Sequence, residues 1–152
     1  VMGSSKLQAI LIWIIVKFLA KNLDTSKYQY FNCEVNDLQV RRKKKDIKTG
    51  LKYEFDVIAV GDKCKTVFLV EVKSSPRVEY INEFKNKKID RFLKLFPEYE
   101  DYKLIPIFAS LRLEDNIINY LTKNQIYAMV CREWEHMDLL NFEDIIQDKK
   151  LK

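Results

Sequence analysis

Two acidic side chains interrupt the most strand-like part of this sequence. Residues 51–75 contain two apolar, β-branched runs separated by a glycine-containing turn, a pattern that predicts a β-hairpin. If the connection is centred between Lys63 and Cys64, Asp56 lies directly opposite Glu71. Side chains paired in this way have Cβ atoms about 4.5–5.5 Å apart, and two like charges at about 4 Å repel by roughly 1 kcal/mol in water. A divalent cation between the carboxylates would remove this repulsion, so the pair is a candidate metal site.

A lysine follows the second acid at a spacing that suits phosphate chemistry. Side chains alternate along a strand, so Glu71 and Lys73 share one face, about 6.6 Å apart, while Val72 points the other way. Mg²⁺ keeps several waters and is held by one or two carboxylates together with substrate phosphate, and an ammonium beside it can contact that phosphate or an attacking water. Glu54, on the Asp56 face, is a lesser ligand candidate. The pattern favours metal-dependent phosphate chemistry, and a solvated, salt-bridged hairpin end is the structural alternative.

These residues resemble the signature of a known enzyme superfamily. Asp56, followed fifteen positions later by Glu71, Val72 and Lys73, is similar to the D-x(n)-E-x-K motif of the PD-(D/E)XK nucleases. Phe55 stands where many members have proline. The resemblance implies a restriction-endonuclease-like α/β core: a mixed sheet of about five strands, an antiparallel three-stranded meander plus parallel strands, flanked by helices. It also implies divalent-metal-dependent hydrolysis of phosphodiester bonds in nucleic acid, with DNA as the expected substrate.

The same resemblance assigns roles to individual residues. Asp56 and Glu71 would bind one or two Mg²⁺ or Mn²⁺ ions, the Val72 carbonyl would add a ligand, and Lys73 would orient the attacking water and the scissile phosphate. Many members place a further acid on the first helix, and residues 7–20 contain none. Two other functions therefore stay open: a nuclease-like binding or assembly module without turnover, and a structural interaction domain in which Lys73 is dispensable.

Length and composition describe one ordinary globular domain. A chain of 152 residues is long enough for a single hydrophobic core. Hydrophobic residues at 47% and charged residues at 32% are typical of a folded chain rather than a disordered one. We expect one domain over residues 1–152, with 1–6 and 147–152 frayed and with a further segment able to precede Val1. The net charge of +5 permits binding to polyanions.

The cysteines and the histidine limit the available chemistry. Cys33, Cys64 and Cys131 are odd in number and widely spaced, which predicts reduced, buried thiols in a cytoplasmic protein rather than disulfides or a zinc site. His136 is the only histidine. A mechanism that needs a histidine cluster is therefore excluded.

The first predicted helix, residues 7–20, is apolar almost all the way round, which is typical of a helix buried on several sides. It is too short to span a membrane, because a span needs about 20 apolar residues and Lys17 interrupts this run. We therefore expect a core helix and no membrane partner. The alternatives are a contact with a second copy of the chain, a contact with a partner domain, and a targeting segment.

Two basic surfaces are candidate nucleic-acid contacts. One lies on the first predicted strand, residues 38–45, and the other on a helix predicted between Pro76 and residue 96, on the face opposite its apolar residues. The candidates are Arg41, Lys43 and Lys45 on the strand and Lys85 and Lys88 on the helix. The same charges would also protect an edge strand from aggregation or solvate a helix face.

The second half of the chain predicts two buried parallel strands, residues 104–109 and 126–131, separated by a helix at 113–123. Pro106 removes one backbone donor, so the first of these strands is expected either to be irregular or to have an unpaired side at this residue. The predicted order is helix, three strands, helix, strand, helix and strand. This order matches the core that the nuclease resemblance implies.

Overall fold

The computed structural model describes residues 4–25, 29–132 and 136–151. The helices are α1 (Ser4–Ala20), α2 (Val78–Glu83), α3 (Ile89–Leu95), α4 (Asp115–Lys123) and α5 (Phe142–Leu151). The strands are β1 (Asp37–Lys45), β2 (Lys52–Gly61), β3 (Thr66–Val72), β4 (Lys103–Ser110), β5 (Tyr127–Arg132) and β6 (His136–Leu139). A π-helical turn (Phe84–Lys88) joins α2 to α3, and a 3₁₀ turn (Pro97–Tyr99) follows α3.

The strands form one sheet in the order β1-β2-β3-β4-β5-β6. The first three make an antiparallel meander, β3, β4 and β5 are parallel, and β6 is antiparallel to β5. Helices cross over between the parallel strands, as parallel connections require. The predicted mixed α/β architecture, a meander plus parallel strands flanked by helices, is confirmed. The sheet has six strands rather than about five, because the tail after β5, whose sequence pattern is mixed, supplies β6.

Each face of the sheet is covered by its own apolar layer. On one face α1 packs through Leu11, Ile15 and Leu19, which are fully buried, so the predicted core helix is confirmed. On the other face α2, α3 and α4 pack around residues such as Phe92. Trp13 of α1 is 63% exposed, and a contact of this helix with a second copy or a partner domain stays a prediction. Among the described residues, no helix is long and apolar enough to cross a membrane.

Pro106 lies where β4 has a neighbouring strand on one side only. The ladder with β3 runs past the proline, which pairs with Leu69, whereas the ladder with β5 begins at Ile107. The predicted unpaired side at this proline is therefore confirmed.

The prediction of reduced thiols is wrong for two of the cysteines. Cys33 and Cys64, 31 positions apart, form a disulfide between the segment before β1 and the turn that joins β2 to β3. The antiparallel pairing of β1 with β2 brings these two segments together. Gly61 leaves room for the bond, because a Cβ at this position would collide with both sulfur atoms. Sequence spacing does not reveal such a pair, since the fold decides which cysteines meet.

Helical structure reaches closer to both ends of the chain than the sequence predicts. It begins at Ser4 in α1 and continues to Leu151 in α5, where frayed ends are expected. A side-chain hydrogen bond fastens the last helix, because Gln125 Nε2 donates to Asp148 Oδ2 at 2.7 Å. This contact joins segments distant in sequence, so local propensity cannot predict it.

Candidate active site

The two predicted acids lie where the β2–β3 ladder ends. The last pair is Val57 with Val70, in the register that the sequence predicts. The next pair would be Asp56 with Glu71, but the backbones separate there. The two acids therefore lie side by side at the open end of the hairpin, outside the regular ladder.

A kink in β2 explains why the strands separate. Phe55 and Ile58 pack in the same core cluster, although an odd spacing would put them on opposite faces of a regular strand. Across the β1–β2 pairing, Arg41 faces Asp56, has φ of 50° and is missing from the ladder. Local irregularities of this kind re-aim side chains. Here the irregularity turns the Asp56 carboxylate towards β3.

Side chains replace the backbone partners that β3 loses at this point. Asp56 Oδ2 accepts a hydrogen bond from the Val72 N–H at 2.9 Å, and Gln8 Nε2 donates to the Val72 carbonyl at 2.9 Å. Both peptide groups are thus satisfied, as buried backbone requires. Sequence reasoning missed Gln8. The available signal was its polarity, because Gln8 and Lys17 are the only polar residues in the apolar stretch 7–20.

Glu71 is buried and paired with a lysine from the helical layer. Its side chain is 3% exposed, and its Oε1 lies 2.9 Å from Lys88 Nζ. The Lys88 side chain is itself only 15% exposed. The sequence predicted Lys88 on an exposed basic face, whereas the structure turns it inward onto the candidate site.

The π-helical turn accounts for the direction of Lys88. Phe84, Lys88 and Phe92 recur every four residues, and a regular α-helix turns by about 100° per residue, so such positions drift by about 40° at each step. The wider π turn at Phe84–Lys88 opposes this drift. Phe84 and Phe92 are both buried against the sheet, and Lys88 lies between them on the same side.

Burial and like charge act together on Glu71. Burial is the largest influence, and the hydrogen bond and negative charge of Asp56 add to it, raising the pKa of Glu71 to about 8. Lys88 opposes this rise. Burial alone would lower the pKa of Lys88, but the charge and hydrogen bond of Glu71, with smaller effects of Asp56 and Glu83, raise it. Both the burial of Glu71 and its acidic neighbour favour the protonated carboxyl, so its pKa lies above the ordinary range of a glutamate.

Lys73 lies at the same end of β3 but does not contact the acids. Its Nζ is 4.7 Å from the centre of the Tyr80 ring, and the side chain is half-buried. The described ion pairs include none between Lys73 and Asp56 or Glu71. Of the predicted catalytic residues, the structure thus brings Asp56 and Glu71 together and leaves Lys73 beside them, while Lys88 forms the ion pair.

The donor set fits a small, hard cation. The carboxyl groups of Asp56 and Glu71 lie together, and Mg²⁺ accepts one or two carboxylates with water completing its shell. Among the described residues no group of three or more His, Cys, Asp and Glu could hold a metal. The buried Ser110 Oγ, two residues beyond the Phe108 that pairs with Glu71, has no hydrogen-bond partner among the described residues. The residues therefore fit Mg²⁺ or Mn²⁺ with water as a major part of its coordination.

The other basic candidates lie on the surface. Arg41, Lys43 and Lys45 are exposed on β1, at the edge of the sheet. Lys85 is exposed as well, and its Nζ donates to Asn124 Oδ1 at 2.6 Å. These four side chains are available to an external anion, whereas Lys88 is engaged with Glu71.

No family model matches this chain, and a comparison with curated protein sequences finds no match. Solved structures similar to it include Can2 from Sulfobacillus thermosulfidooxidans in complex with cyclic tetra-adenylate, with a TM-score of 0.49 and 13% identity over 92% of this chain and 34% of that chain. They also include the small subunit of the heterodimeric restriction endonuclease R.BspD6I, with a TM-score of 0.34 and 13% identity over 82% of this chain and 71% of that chain. This chain thus spans about a third of the length of Can2.

Proposed function

We propose that this protein hydrolyses phosphodiester bonds in nucleic acid, with DNA as the expected substrate, by a reaction that depends on Mg²⁺ or Mn²⁺. One observation carries the proposal: the carboxyl groups of Asp56 and Glu71 meet at the end of a broken β ladder, with Glu71 buried. A fold that only needed stability would gain by replacing such a pair with apolar side chains, because buried like charges are costly. Binding of a cation between the two carboxyl groups would explain why the pair is present.

The residues of the site would have different roles in this reaction. Asp56 and Glu71 would hold the cation, with the Val72 carbonyl as a further ligand. A bound Mg²⁺ or Mn²⁺ would activate a water for attack and neutralise charge on the scissile phosphate. Lys88 keeps the buried Glu71 carboxylate oriented and compensated. Lys73 lies at the rim, where its ammonium can contact the phosphate.

Gln8 and Asp56 together fix the Val72 peptide. Asp56 accepts from the Val72 N–H, and Gln8 donates to the Val72 carbonyl, the proposed further ligand, so both backbone groups are held in place. Gln8 occupies a position on α1, the helix on which many PD-(D/E)XK nucleases carry an additional acid. Its neutral amide adds no negative charge, so the site has two carboxylates rather than three.

The test is a cleavage panel of labelled duplex, single-stranded and branched DNA and RNA, incubated with Mg²⁺, Mn²⁺ or EDTA. Asp56→Ala, Glu71→Ala and Lys73→Ala should each abolish cleavage, and Glu54→Ala, which changes an exposed acid nearby, should not. Undiminished cleavage in EDTA would contradict the proposed mechanism. Full activity in one of the three variants would remove that residue from it.

A second candidate function is nucleic-acid binding without turnover. The ion pair between Lys88 and Glu71 favours it, because an internal ammonium compensates the buried carboxylate without any metal. On this hypothesis the protein binds nucleic acid equally well with and without Mg²⁺ and leaves every substrate of the panel intact. Metal-dependent cleavage of any substrate excludes it.

A further inference from the structure

The strands β1 and β2 extend beyond the rest of the sheet as a two-stranded ribbon. β2 pairs with β3 only from Val57 onwards, whereas its earlier residues pair with β1 alone, from Arg42 with Phe55 to Lys45 with Lys52. The ribbon therefore begins beside Asp56 and ends in the loop 46–51.

The loop at the end of the ribbon is ordered by its own hydrogen bonds. Asp46 accepts from the Lys48 N–H at 3.0 Å and from Thr49 Oγ1 at 2.9 Å through its side chain, and from the Gly50 N–H at 2.8 Å through its carbonyl. Gly50 has φ of 72°, which suits glycine. This loop holds Ile47 at the tip with 94% of its surface exposed. The hydrogen bonds of the loop therefore hold an exposed apolar side chain at the end of the ribbon.

The ribbon around this isoleucine is strongly basic. Residues 41–54 contain seven Lys and Arg and two acids, and one of the acids is the Asp46 that the loop uses internally. Lys45 faces Lys52 directly, a like-charge pair that destabilises an isolated ribbon. Lys43 and Lys52 also line a shallow cavity of about 330 Å³ with Tyr53 and Glu54. A polyanion would relieve this repulsion.

Aromatic contacts fix the base of the ribbon to α3. Phe55 packs edge-on against Phe92, with ring centres 5.6 Å apart. Lys44 Nζ lies 5.0 Å from the centre of the Phe96 ring, and the Arg91 guanidinium lies 5.9 Å from that of Tyr53. The ribbon is therefore held in a fixed direction relative to the acids.

We infer that the ribbon 41–56 is an arm for double-stranded DNA, with Ile47 as a wedge between base pairs. Two-stranded ribbons fit DNA grooves, and proteins that kink DNA insert isolated apolar side chains, isoleucine among them, between base steps while their cations contact the flanking phosphates. A single isoleucine among lysines is too small an apolar patch for a protein interface. Five residue steps separate Asp56 from Leu51 at the end of the loop, about 17 Å at about 3.4 Å per residue.

This geometry predicts where the DNA is distorted. At about 3.4 Å per base pair, the step opened by Ile47 lies roughly five base pairs from the phosphate beside Asp56. The inference rests on the proposed function only for the position of this cut. Binding and distortion of the duplex do not require cleavage.

The experiment uses the full chain in EDTA, with a DNA duplex that carries 2-aminopurine and a pair of end labels for energy transfer. We expect 2-aminopurine fluorescence to rise at one step and the ends to approach each other, as in kinks of about 20–90°. Ile47→Ser should abolish both signals and keep the salt dependence of binding. Leu93→Ser, which changes an exposed apolar residue of α3, should leave both signals intact. Lys45→Gln, Lys48→Gln and Lys52→Gln should each reduce the slope of log affinity against log salt by about 0.9.

The possible outcomes test the proposed DNA arm independently of the proposed nuclease activity. The proposed DNA arm would be contradicted if Ile47→Ser distorted the duplex as fully as the wild type. It would also be contradicted if the wild type bound duplex DNA without distorting it or did not bind it. Binding to anionic vesicles that depends on Ile47, with no distortion of DNA, would also overturn it. Distortion without cleavage under any metal condition would support the arm and contradict the proposed hydrolysis. Cleavage without distortion would support the hydrolysis and contradict the arm.

Discussion

The two ends of the β2–β3 hairpin are built in opposite ways. At the turn, the disulfide Cys33–Cys64 joins the hairpin to the segment before β1, and Asp62 accepts hydrogen bonds from Tyr102 Oη at 2.7 Å and Asn36 Nδ2 at 2.6 Å. These two bonds, that of Tyr102 first, lower the pKa of Asp62. At the open end, burial and Asp56 raise the pKa of Glu71.

The contrast shows where the fold is stabilised and where it is not. An exposed acid with two donors favours its charged form, and a cross-link beside it limits the unfolded chain. At the open end two acids share one buried ammonium, and a proton on Glu71 or a further cation can relieve the excess of negative charge. The turn end therefore contributes to stability, and the open end is available for binding.

Reducing the disulfide should produce the largest change in stability. The bond closes a loop of 31 positions, and the chain-entropy relation gives about 3.7 kcal/mol for a loop of that size. Chemical unfolding with and without dithiothreitol measures the loss. Cleavage measured under native conditions should be unchanged, because the bond lies at the far end of the hairpin. A variant with both Cys33→Ser and Cys64→Ser should be insensitive to the reductant, and an equally insensitive wild type would contradict the prediction.

Removing the internal ammonium should be nearly as costly. Lys88→Met leaves Glu71 buried without its partner, and breaking a buried ion pair in this way costs about 3 kcal/mol. The loss should be greater at pH 9 than at pH 5, because Glu71 can take up a proton at the lower pH. Urea titrations at the two pH values provide the measurement. The matched control is Lys87→Met, an exposed neighbour, and equal losses in the two variants would rule out a special role for Lys88.

Adding Mg²⁺ or Mn²⁺ should stabilise the open end. A ligand that binds only the folded chain contributes about 2.7 kcal/mol at about 100 times its dissociation constant, which raises the melting temperature by several degrees for a domain of this size. Asp56→Asn should make the metal-free protein more stable, because it removes part of the repulsion, and should weaken the response to metal. Four thermal melts at fixed ionic strength, wild type and variant with and without metal, measure both effects. Identical melting temperatures in all four would show that the acids do not bind the ion.

The pH dependence should be the most local effect, because it depends on a single carboxyl group. Because the folded pKa of Glu71 is raised, its contribution to stability is fully present below the unfolded value of 4.5 and is lost as pH rises towards about 8. One proton limits the slope to about 1.4 kcal/mol per pH unit. In metal-free protein, Glu71→Gln should flatten this part of the stability profile, whereas Glu54→Gln should not. A wild-type profile that rises over this range would reverse the sign of the assignment.

Hydrophobic periodicity and turn chemistry were sufficient to predict much of the fold. The position of the turn in residues 51–75 predicts the register from Val57 to Val60, and the apolar run 7–20 predicts the core helix, because both depend on neighbouring residues. The strand β6 was missed, since its pattern is weak and its pairing with β5 decides it. The disulfide was missed for a similar reason, because tertiary structure brings Cys33 and Cys64 together.

The sequence predicts the two acids of the candidate site but not the lysine that pairs with Glu71. The position of the hairpin turn predicts that Asp56 and Glu71 meet, and the structure places them together just beyond the last pair of the ladder. The direction of the Lys88 side chain depends on its position around the helix. The π turn changes that position, and a regular helical repeat does not predict the change. Gln8 reaches Val72 across 64 positions of sequence, and no local pattern encodes that contact.

The backbone amide of Val72 contacts the candidate site directly and can be observed by spectroscopy. Its N–H is held by the Asp56 side chain and its carbonyl by the Gln8 side chain, so neither group pairs with the backbone of another strand. A carboxylate that binds a cation is a weaker acceptor, so its bond to the amide lengthens. The amide resonance of Val72 should therefore shift as cation binds, and its hydrogen should exchange faster with solvent deuterium. One backbone amide of β3 thus reports on occupancy of the acids without any substrate.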